Sequence, residues 1–294
     1  MQPQSPRPLP AAATATVRLP PHVFFVVSAI FHYLGPAFAV LLFAHVPPLG
    51  VAWLRIASAA AVFAVWRKPW RQWRSLDRPV RRNVIMLGAV LAAMNASFYL
   101  AIDRLPLSTV SAIEFLGPIG LAAAGMRTAR NLCALALGTA GVYVLTDVRI
   151  AGEPLGFALA FVNCALFVLY VVLGHRLARQ GGAIGIDRLG LSMLVAMLVA
   201  VPIGFDDAAG AFADPLLLAA GVGVGISSSV IPYVCDQLAM ARLRRATFAL
   251  LLSLLPATAT VIGILVLKQI PSLTELIGIG LVVVGVGIHR EIRQ

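Results

Sequence analysis

Two charged side chains lie within stretches that are otherwise apolar, and their types suit them to binding a polar molecule or a proton. Arg55 ends the run GVAWLR (50–55), and Glu114 opens the run EFLGP (114–118). A charge inside hydrocarbon is costly and usually faces a protein interior or a water-filled cavity. A carboxyl can carry a proton or hold an ammonium group, and a guanidinium can hold a carboxylate. The two residues therefore mark either a path for a polar substrate or proton, or a structural pair that ties two helices together.

Arg55 and Glu114 are expected at similar depths in the protein. Each lies about six or seven residues past the start of its apolar segment, which is about 10 Å along a helix. Equal depth makes a salt bridge between them feasible. We hypothesise that Glu114 is a proton-coupling site or the site for a substrate amine. Arg55 is then its alternating partner or the anchor for a substrate carboxylate.

Neutral polar side chains near the centres of other apolar segments extend this candidate pathway. Helical spacing places Asn95 and Tyr99 on one face, and Ser229 and Tyr233 on one face of a later segment. A simpler interpretation remains for each residue, since a serine in such a helix usually bonds its own helix or a neighbour. His32 is either a proton carrier or a satisfied interhelical histidine. The full candidate set beside the two charges is His32, Tyr33, Asn95, Tyr99, Asn163, Ser229, Tyr233 and Ser253.

The composition excludes an ordinary soluble domain. The chain of 294 residues is 60% hydrophobic and 12% charged, with a mean hydropathy of +0.92. Soluble domains carry about 25% charged residues. The three cysteines form no C-x-x-C pair, so neither a disulfide framework nor a metal site is indicated. A Walker-type motif is also missing from the sequence, which argues against ATP-driven transport by this chain, and we expect no cofactor.

Ten apolar segments account for nearly the whole chain after a proline-rich, disordered tail at 1–21. A bilayer crossing needs about 20 apolar residues, so the sequence predicts an all-α integral membrane protein with ten transmembrane helices. The short joins carry turn residues such as Pro47-Pro48 and Gly181-Gly182. The predicted spans are 22–43, 49–66, 83–102, 107–125, 131–146, 154–174, 185–204, 215–235, 246–267 and 272–289.

The basic residues alternate between loops and so predict an orientation. Of 23 Lys and Arg residues, 19 fall in one set of alternate loops and three in the other, and Arg55 is the remaining one. The positive-inside rule places the basic set, including both termini, in the cytoplasm. The basic residues that give the net charge of +11 therefore orient the protein and contact anionic lipid. We expect no nucleic-acid partner.

An internal repeat is indicated at an offset of 138 residues. LAIDRL (100–105) aligns with LAMARL (238–243), and Pro118 then aligns with Pro256. Five helices are an odd number, so the second half must cross in the opposite sense. We therefore predict two inverted five-helix repeats, 22–146 and 154–290. Interrupted helices at matching places in two halves point to a transporter's binding site, although a tolerated kink is the simpler interpretation of each proline.

The chain resembles the EamA-type members of the drug/metabolite transporter superfamily. The resemblance covers about 22–290 and is carried by GVAWLR (50–55), by NASFYLAIDRLPLSTVSAIEFLGPIGLAAA (95–124) and by the stretch from Ile231-Pro232-Tyr233 to Pro256. It implies a ten-helix carrier in the bacterial inner membrane that exports small amino acids of the threonine and homoserine kind, with proton coupling and alternating access. Exporters of this type often carry a Glu before the second proline, where this chain has Leu255. We therefore expect no second intramembrane carboxylate.

Three other functions stay open, and so does the oligomeric state. The chain could instead be an efflux carrier for drugs or other polar metabolites, an integral-membrane enzyme or a non-transporting scaffold. The symmetric prolines argue against a scaffold, and no catalytic cluster supports an enzyme. Glycine pairs such as Gly221-x-x-x-Gly225 permit close helix contact within one chain or in a homodimer. The expected partners are thus a small-molecule substrate, the lipid bilayer and possible copies of the same chain.

Overall fold

The structure is a computed structural model, and each regular element in the residues it describes is helical. It describes residues 20–125, 128–147, 153–179, 181–243, 248 and 255–288. Two short 3₁₀ turns, Pro69–Ser75 and Ala209–Ala213, and one π-helical turn, Ile226–Val230, accompany the α-helices. The α-helices are α1 (Pro21–Leu42), α2 (Pro48–Arg67), α3 (Arg78–Ile102), α4 (Leu107–Gly125), α5 (Ala129–Asp147), α6 (Pro154–Ala178), α7 (Gly182–Ala208), α8 (Pro215–Gly225), α9 (Ile231–Met240), α10 (Leu255–Leu267) and α11 (Leu273–Ile288).

Prolines start several of these helices. Pro48, Pro154 and Pro215 occupy the first turns of α2, α6 and α8. A proline suits this position because its missing N–H would have no partner in the first turn. At α8 the preceding Asp214 also caps the helix, since its carboxylate accepts hydrogen bonds from the N–H groups of Leu216 and Leu217. The turn residues in the sequence therefore delimit the helices.

The helices are apolar enough to be immersed in lipid. Six helical stretches among the described residues are long and apolar enough to cross a bilayer, and three shorter apolar helices accompany them. Many of their large apolar side chains, including Val65, Leu198 and Leu265, face outward, as expected where the solvent is hydrocarbon. The prediction of an all-α, multi-pass membrane protein is confirmed. The ten crossings and the inverted repeat stay predictions.

Two antiparallel helix pairs make the most extensive helix contacts. α2 packs along α7, with Trp53 against Phe205 near one end and an ion pair of 2.6 Å between Arg67 Nε and Asp187 Oδ1 near the other. α5 packs along α11, where Arg130 donates a hydrogen bond to the carbonyl of Ile288. In addition, α3 packs on both α6 and α7, while α9 and α10 pack on α1.

The π-helical turn lies where three helices come very close together. A Cβ atom at Gly225 would lie 2.8 Å from the carbonyl oxygen of Arg55 on α2, and one at Gly35 would lie 2.7 Å from the backbone of Ser228. Glycine is therefore required at both positions for α1 and α2 to reach the turn. Gly225, which belongs to the predicted small-residue motif, thus packs within the chain. A homodimer stays a prediction.

Candidate functional site

Arg55 is buried on α2 and held by neutral groups from three other elements, the π-helical turn, α3 and α9. Its Nε donates to the hydroxyl of Ser229 at 2.7 Å, and one terminal nitrogen donates to the carbonyl of Ser228 at 2.8 Å. Longer contacts of 3.4 and 3.3 Å join the guanidinium to the hydroxyls of Tyr99 on α3 and Tyr233 on α9. The guanidinium also lies over both tyrosine rings, 5.4 and 5.9 Å from their centroids, where a cation is attracted to the ring face.

The π-helical turn explains how the backbone can take part in holding Arg55. In a π turn the hydrogen bonds run from residue i to i+5 instead of i+4, which widens the helix and shifts its register. Ser228 and Ser229 lie in this turn and are both fully buried. The carbonyl of Ser228 and the hydroxyl of Ser229 thus both accept from Arg55. Turns of this kind occur frequently at functional sites.

Glu114 is buried on α4 and accepts two hydrogen bonds from two further helices. Tyr33 on α1 donates its hydroxyl to Oε2 at 3.2 Å, and Asn163 on α6 donates Nδ2 to Oε1 at 2.9 Å. Ser111, one turn before Glu114, donates to the Tyr33 oxygen at 2.7 Å and so fixes that hydroxyl. Each carboxylate oxygen therefore has one neutral donor.

Arg55 and Glu114 line one small cavity without contacting each other. The volume open to the centre of a water molecule is about 10 Å³, which is room for about one water. Neither residue belongs to an ion pair, since the ion pairs among the described residues are Arg67–Asp187 and Arg104–Asp103. The salt bridge that equal depth made feasible is therefore not formed in this conformation, and the two side chains line the same cavity instead. The cavity is lined by His32, Pro36, Arg55, Met94, Asn95, Phe98, Glu114, Asn163 and Tyr233.

Three buried polar atoms of the cavity lining have no hydrogen-bond partner. They are Nδ1 of His32, Oδ1 of Asn95 and Oδ1 of Asn163. The two amide orientations are set by their nitrogens, because Asn95 Nδ2 donates to the carbonyl of Leu91 and Asn163 Nδ2 donates to Glu114. A buried polar atom without a partner is destabilising. The two amide oxygens are therefore positioned for a water or ligand that has hydrogen-bond donors, and His32 Nδ1 can donate or accept according to its tautomer.

The structure gathers most of the predicted pathway residues in this one place. Tyr33 contacts Glu114, while Tyr99 and Ser229 contact Arg55, and the remaining described members line the cavity itself. Ser253 lies outside the described residues. Pro118 lies within α4 and Pro256 is the second residue of α10, but residues 251–254 before it are outside the described range. The two proline kinks stay predictions.

The prediction that the chain has no second intramembrane carboxylate is wrong. Asp236 lies on α9, within the apolar stretch Pro215–Met240, and is 2% exposed. Ser28 and Tyr170 donate to its two oxygens at 2.5 and 2.8 Å. The predicted span ended at 235, so Asp236 fell just outside it. Its spacing of three residues from Tyr233 would have placed it on the same helical face.

The sequence also resembles characterised proteins over most of its length. The pattern of the EamA-like transporter family matches residues 154–289. The threonine/homoserine exporter RhtA of Escherichia coli (strain K12) is 29% identical over 255 residues, which cover 85% of this chain and 84% of that protein. The exporter of the same name from Salmonella typhimurium (strain LT2) is 30% identical over 241 residues, covering 80% and 79%.

A solved crystal structure supports the same fold. It matches 91% of this chain and 96% of its own length with a TM-score of 0.61. At a sequence identity of 20%, this similarity concerns the fold alone. The helical bundle, the family pattern and the identity to exporters over four-fifths of the sequence together place this chain in the EamA-like transporter family.

Proposed function

We propose that this protein is a secondary transporter that exports small zwitterionic amino acids, such as threonine or homoserine, from the cytoplasm. The observation that carries the proposal is the cavity between Arg55 and Glu114. A free amino acid has one carboxylate and one ammonium group, and the cavity offers one cation and one carboxyl that do not neutralise each other. The names of the RhtA relatives agree with this substrate class.

The ammonium group suits the Glu114 side of the cavity. An ammonium has three N–H donors, and the lining supplies Glu114 together with the unpaired oxygens of Asn95 and Asn163. Satisfying three buried acceptors at once would make this contact favourable, because unmet buried acceptors cost free energy. A substrate without an amino group would leave these oxygens unmet.

The carboxylate suits Arg55. A guanidinium has five N–H donors and matches a carboxylate in a two-point arrangement. The contacts of Arg55 to the hydroxyls of Tyr99 and Tyr233 are long, at 3.4 and 3.3 Å, so they are weak hydrogen bonds. Carboxylate oxygens could replace these hydroxyls, while the shorter bonds to Ser228 and Ser229 keep the guanidinium in place.

The size of the cavity favours a small substrate and requires a moving carrier. Room for about one water is too little for an amino acid, so the bundle must open toward one side to admit it and toward the other to release it. This is alternating access. A drug-sized substrate would need a much larger expansion, since pockets for such ligands have about 300–1,000 Å³.

The helix contacts support two inverted repeats, 22–146 and 154–290, as the basis of this motion. If α1–α5 correspond to α6, α7, the α8–α9 pair, α10 and α11, then α2 and α7 are mates, as are α5 and α11, and each mate pair packs together. The packing of α3 on α6 and α7 corresponds to that of α8–α9 on α1 and α2. The family pattern also matches 154–289, which is almost the second repeat.

Proton coupling at Glu114 supplies the energy in this proposal. A proton from the periplasm neutralises Glu114 and releases the substrate amine, and loss of the proton restores the carboxylate for the next substrate. Pro118 supplies a flexible point within α4, because a proline inside a helix removes a hydrogen bond, and Pro256 at the start of α10 is its counterpart in the second repeat. Both termini lie in the cytoplasm of a bacterial cell, as the basic loops predict.

The proposal is tested with purified protein in liposomes. Vesicles loaded with an unlabelled amino acid should take up the same labelled amino acid by exchange. Threonine, homoserine and serine should exchange, whereas 3-hydroxybutyrate (threonine without its amine) and threonine amide (which lacks the carboxylate) should not. Exchange of the two truncated compounds at the threonine rate would refute the zwitterion site. Transport of bulky cations alone would instead favour an efflux carrier for drugs.

A further inference from the structure

Asp236 forms a second buried carboxylate site that the proposed substrate cavity does not use. It accepts hydrogen bonds from Ser28 on α1 at 2.5 Å and from Tyr170 on α6 at 2.8 Å. Asp236 and Ser28 are each 2% exposed, and Tyr170 is 1% exposed. Three helices, α1, α6 and α9, thus meet at one carboxyl group.

Neutral hydroxyls are the only partners of Asp236 among the described residues. Asp187 on α7 is itself an anion, paired with Arg67, and neither ion pair among the described residues includes Asp236. An ionised carboxylate with no cationic partner is costly in such a place, and it is stable there only if its hydrogen bonds are good. The other buried titratable side chains on the helices packed against α9 are His32 and Tyr33 on α1, and Cys164, Tyr170 and His175 on α6.

The hydrogen bonds of Ser28 can satisfy Asp236 in both of its charge states. A serine hydroxyl has one hydrogen and two acceptor positions. Its Oγ lies 2.5 Å from Asp236 Oδ1 and 3.2 Å from the carbonyl of Pro232. When Asp236 is ionised, Ser28 donates to it. When Asp236 carries a proton, its O–H can donate to Ser28 Oγ, and Ser28 can turn to donate to Pro232.

Asp236 and Glu114 each accept one hydrogen bond from α1 and one from α6, at two different depths along these helices. Glu114 accepts from Tyr33 and Asn163, whereas Asp236 accepts from Ser28 and Tyr170. Along α1 the two donors are five residues apart, or about 7 Å, and along α6 they are seven apart, or about 10 Å. The order reverses between the two helices, as it must if both carboxyls lie between the same antiparallel pair.

The Asp236 site lies closer than the Glu114 site to the predicted cytoplasmic ends of these helices. Met240 ends α9 four residues after Asp236, and the basic residues Arg242, Arg244 and Arg245 follow in the sequence. Tyr170 links the Asp236 site to the cavity, because its ring centroid lies 5.3 Å from that of Tyr233, which lines the cavity. His32 also lies between them, four residues after Ser28 on the same face of α1.

We propose that Asp236 is a second proton-binding site, which takes up the proton that leaves Glu114 and releases it toward the cytoplasm. This inference rests on the proposed proton-coupled export. One proton moves inward for each amino acid exported. It leaves the Glu114 carboxyl, binds a carboxylate oxygen of Asp236, and passes to water at the cytoplasmic ends of α6 and α9. Ser28 changes its acceptor at each transfer.

The test compares two assays on the same liposomes. Asp236→Asn keeps the size of the protonated side chain but cannot exchange a proton. Threonine uptake driven by a pH gradient should fall on the order of 100-fold, the size of effect seen when a positioned proton carrier is removed. Exchange of threonine across the membrane needs no net proton movement and should stay within about twofold of wild type. Asp206→Asn, which changes an exposed carboxylate, is the matched control and should leave both assays unchanged.

Other outcomes separate the two proposals. Gradient-driven uptake by Asp236→Asn at the wild-type rate would overturn the inference, and so would an equal loss of both assays in a protein that unfolds at the wild-type temperature. If wild-type protein transports no amino acid, the proposed function itself fails. Should Asp236→Asn not fold, Tyr170→Phe and Ser28→Ala each remove one donor and should lower gradient-driven uptake more than exchange. An equal effect on both assays from these variants would also overturn the inference.

Discussion

Replacing Glu114 by Gln removes the negative charge from the cavity while keeping the length of the side chain. The glutamine oxygen can still accept the hydrogen bond that Tyr33 donates. Its amide nitrogen would face Asn163, whose Oδ1 has no partner and could accept if the asparagine amide turned over. The substitution should therefore leave the bundle folded, with unfolding in detergent close to that of wild type.

Substrate affinity should change far more than folding. A hydrogen bond to a charged group is worth about 1.5–3 kcal/mol, and each 1.4 kcal/mol corresponds to a tenfold change in affinity. Loss of the Glu114 charge should thus raise the half-saturating threonine concentration about 10- to 150-fold. The turned Asn163 amide would present N–H donors to the ammonium instead of an acceptor, which moves the expectation toward the upper end.

The assay is threonine exchange in proteoliposomes across a range of substrate concentrations and pH values. Wild-type exchange should decrease at low pH, because protonation of Glu114 removes the charge that holds the amine. Glu114→Gln should show weak exchange that no longer depends on pH in this range. A variant with wild-type half-saturation and wild-type pH dependence would refute the assignment of Glu114 to the substrate amine and to the coupling proton.

Three further predictions concern orientation, motion and packing. In a variant without native cysteines, a cysteine at position Asp207 should react with an impermeant thiol reagent from the periplasmic side, whereas one at Arg74 should react only after the membrane is permeabilised; the reverse pattern contradicts the topology. Pro256→Ala should clearly reduce the transport rate while the unfolding temperature stays near that of wild type. Full activity of this variant would make the proline incidental. Gly225→Ala should destabilise the protein by about 1–3 kcal/mol in detergent unfolding, because its Cβ would lie 2.8 Å from a backbone oxygen. Gly223→Ala is its control, since no atom lies within 4 Å of that position, and equal destabilisation of both would contradict the packing argument.

The sequence was sufficient to predict which polar residues share a place, but not how they pair. Arg55 and Glu114 have the depth needed to meet, and they do line one cavity. Rotation of a helix about its axis is set by packing on all sides, so the sequence could not show that Arg55 turns to Ser228 and Ser229 instead. The π-helical turn that presents these serines has no clear sequence signal, because its residues suit an α-helix equally well.

The missed carboxylate has a different cause. Asp236 lies close to a run of arginines, and a hydropathy boundary is uncertain by several residues. The acid therefore fell outside the predicted span, although the helix continues to Met240. What places it inside the protein is its contact with Ser28, 208 positions earlier in the chain. Long-range partners of this kind cannot be derived from local periodicity.

If Glu114 carries the coupling proton, as proposed, the neutral surroundings of Arg55 should make transport depend on the membrane potential. The guanidinium keeps its charge at all physiological pH values, and its partners are hydroxyls, a carbonyl and aromatic rings. The cavity therefore has a net charge of zero when Glu114 is ionised and of one positive charge when Glu114 carries a proton. An elementary charge that crosses the full membrane gains about 2.3 kcal/mol per 100 mV. In the proposed cycle, the negative interior of a respiring cell would thus draw the proton-loaded, substrate-free form toward the cytoplasm, and the membrane potential would drive its return.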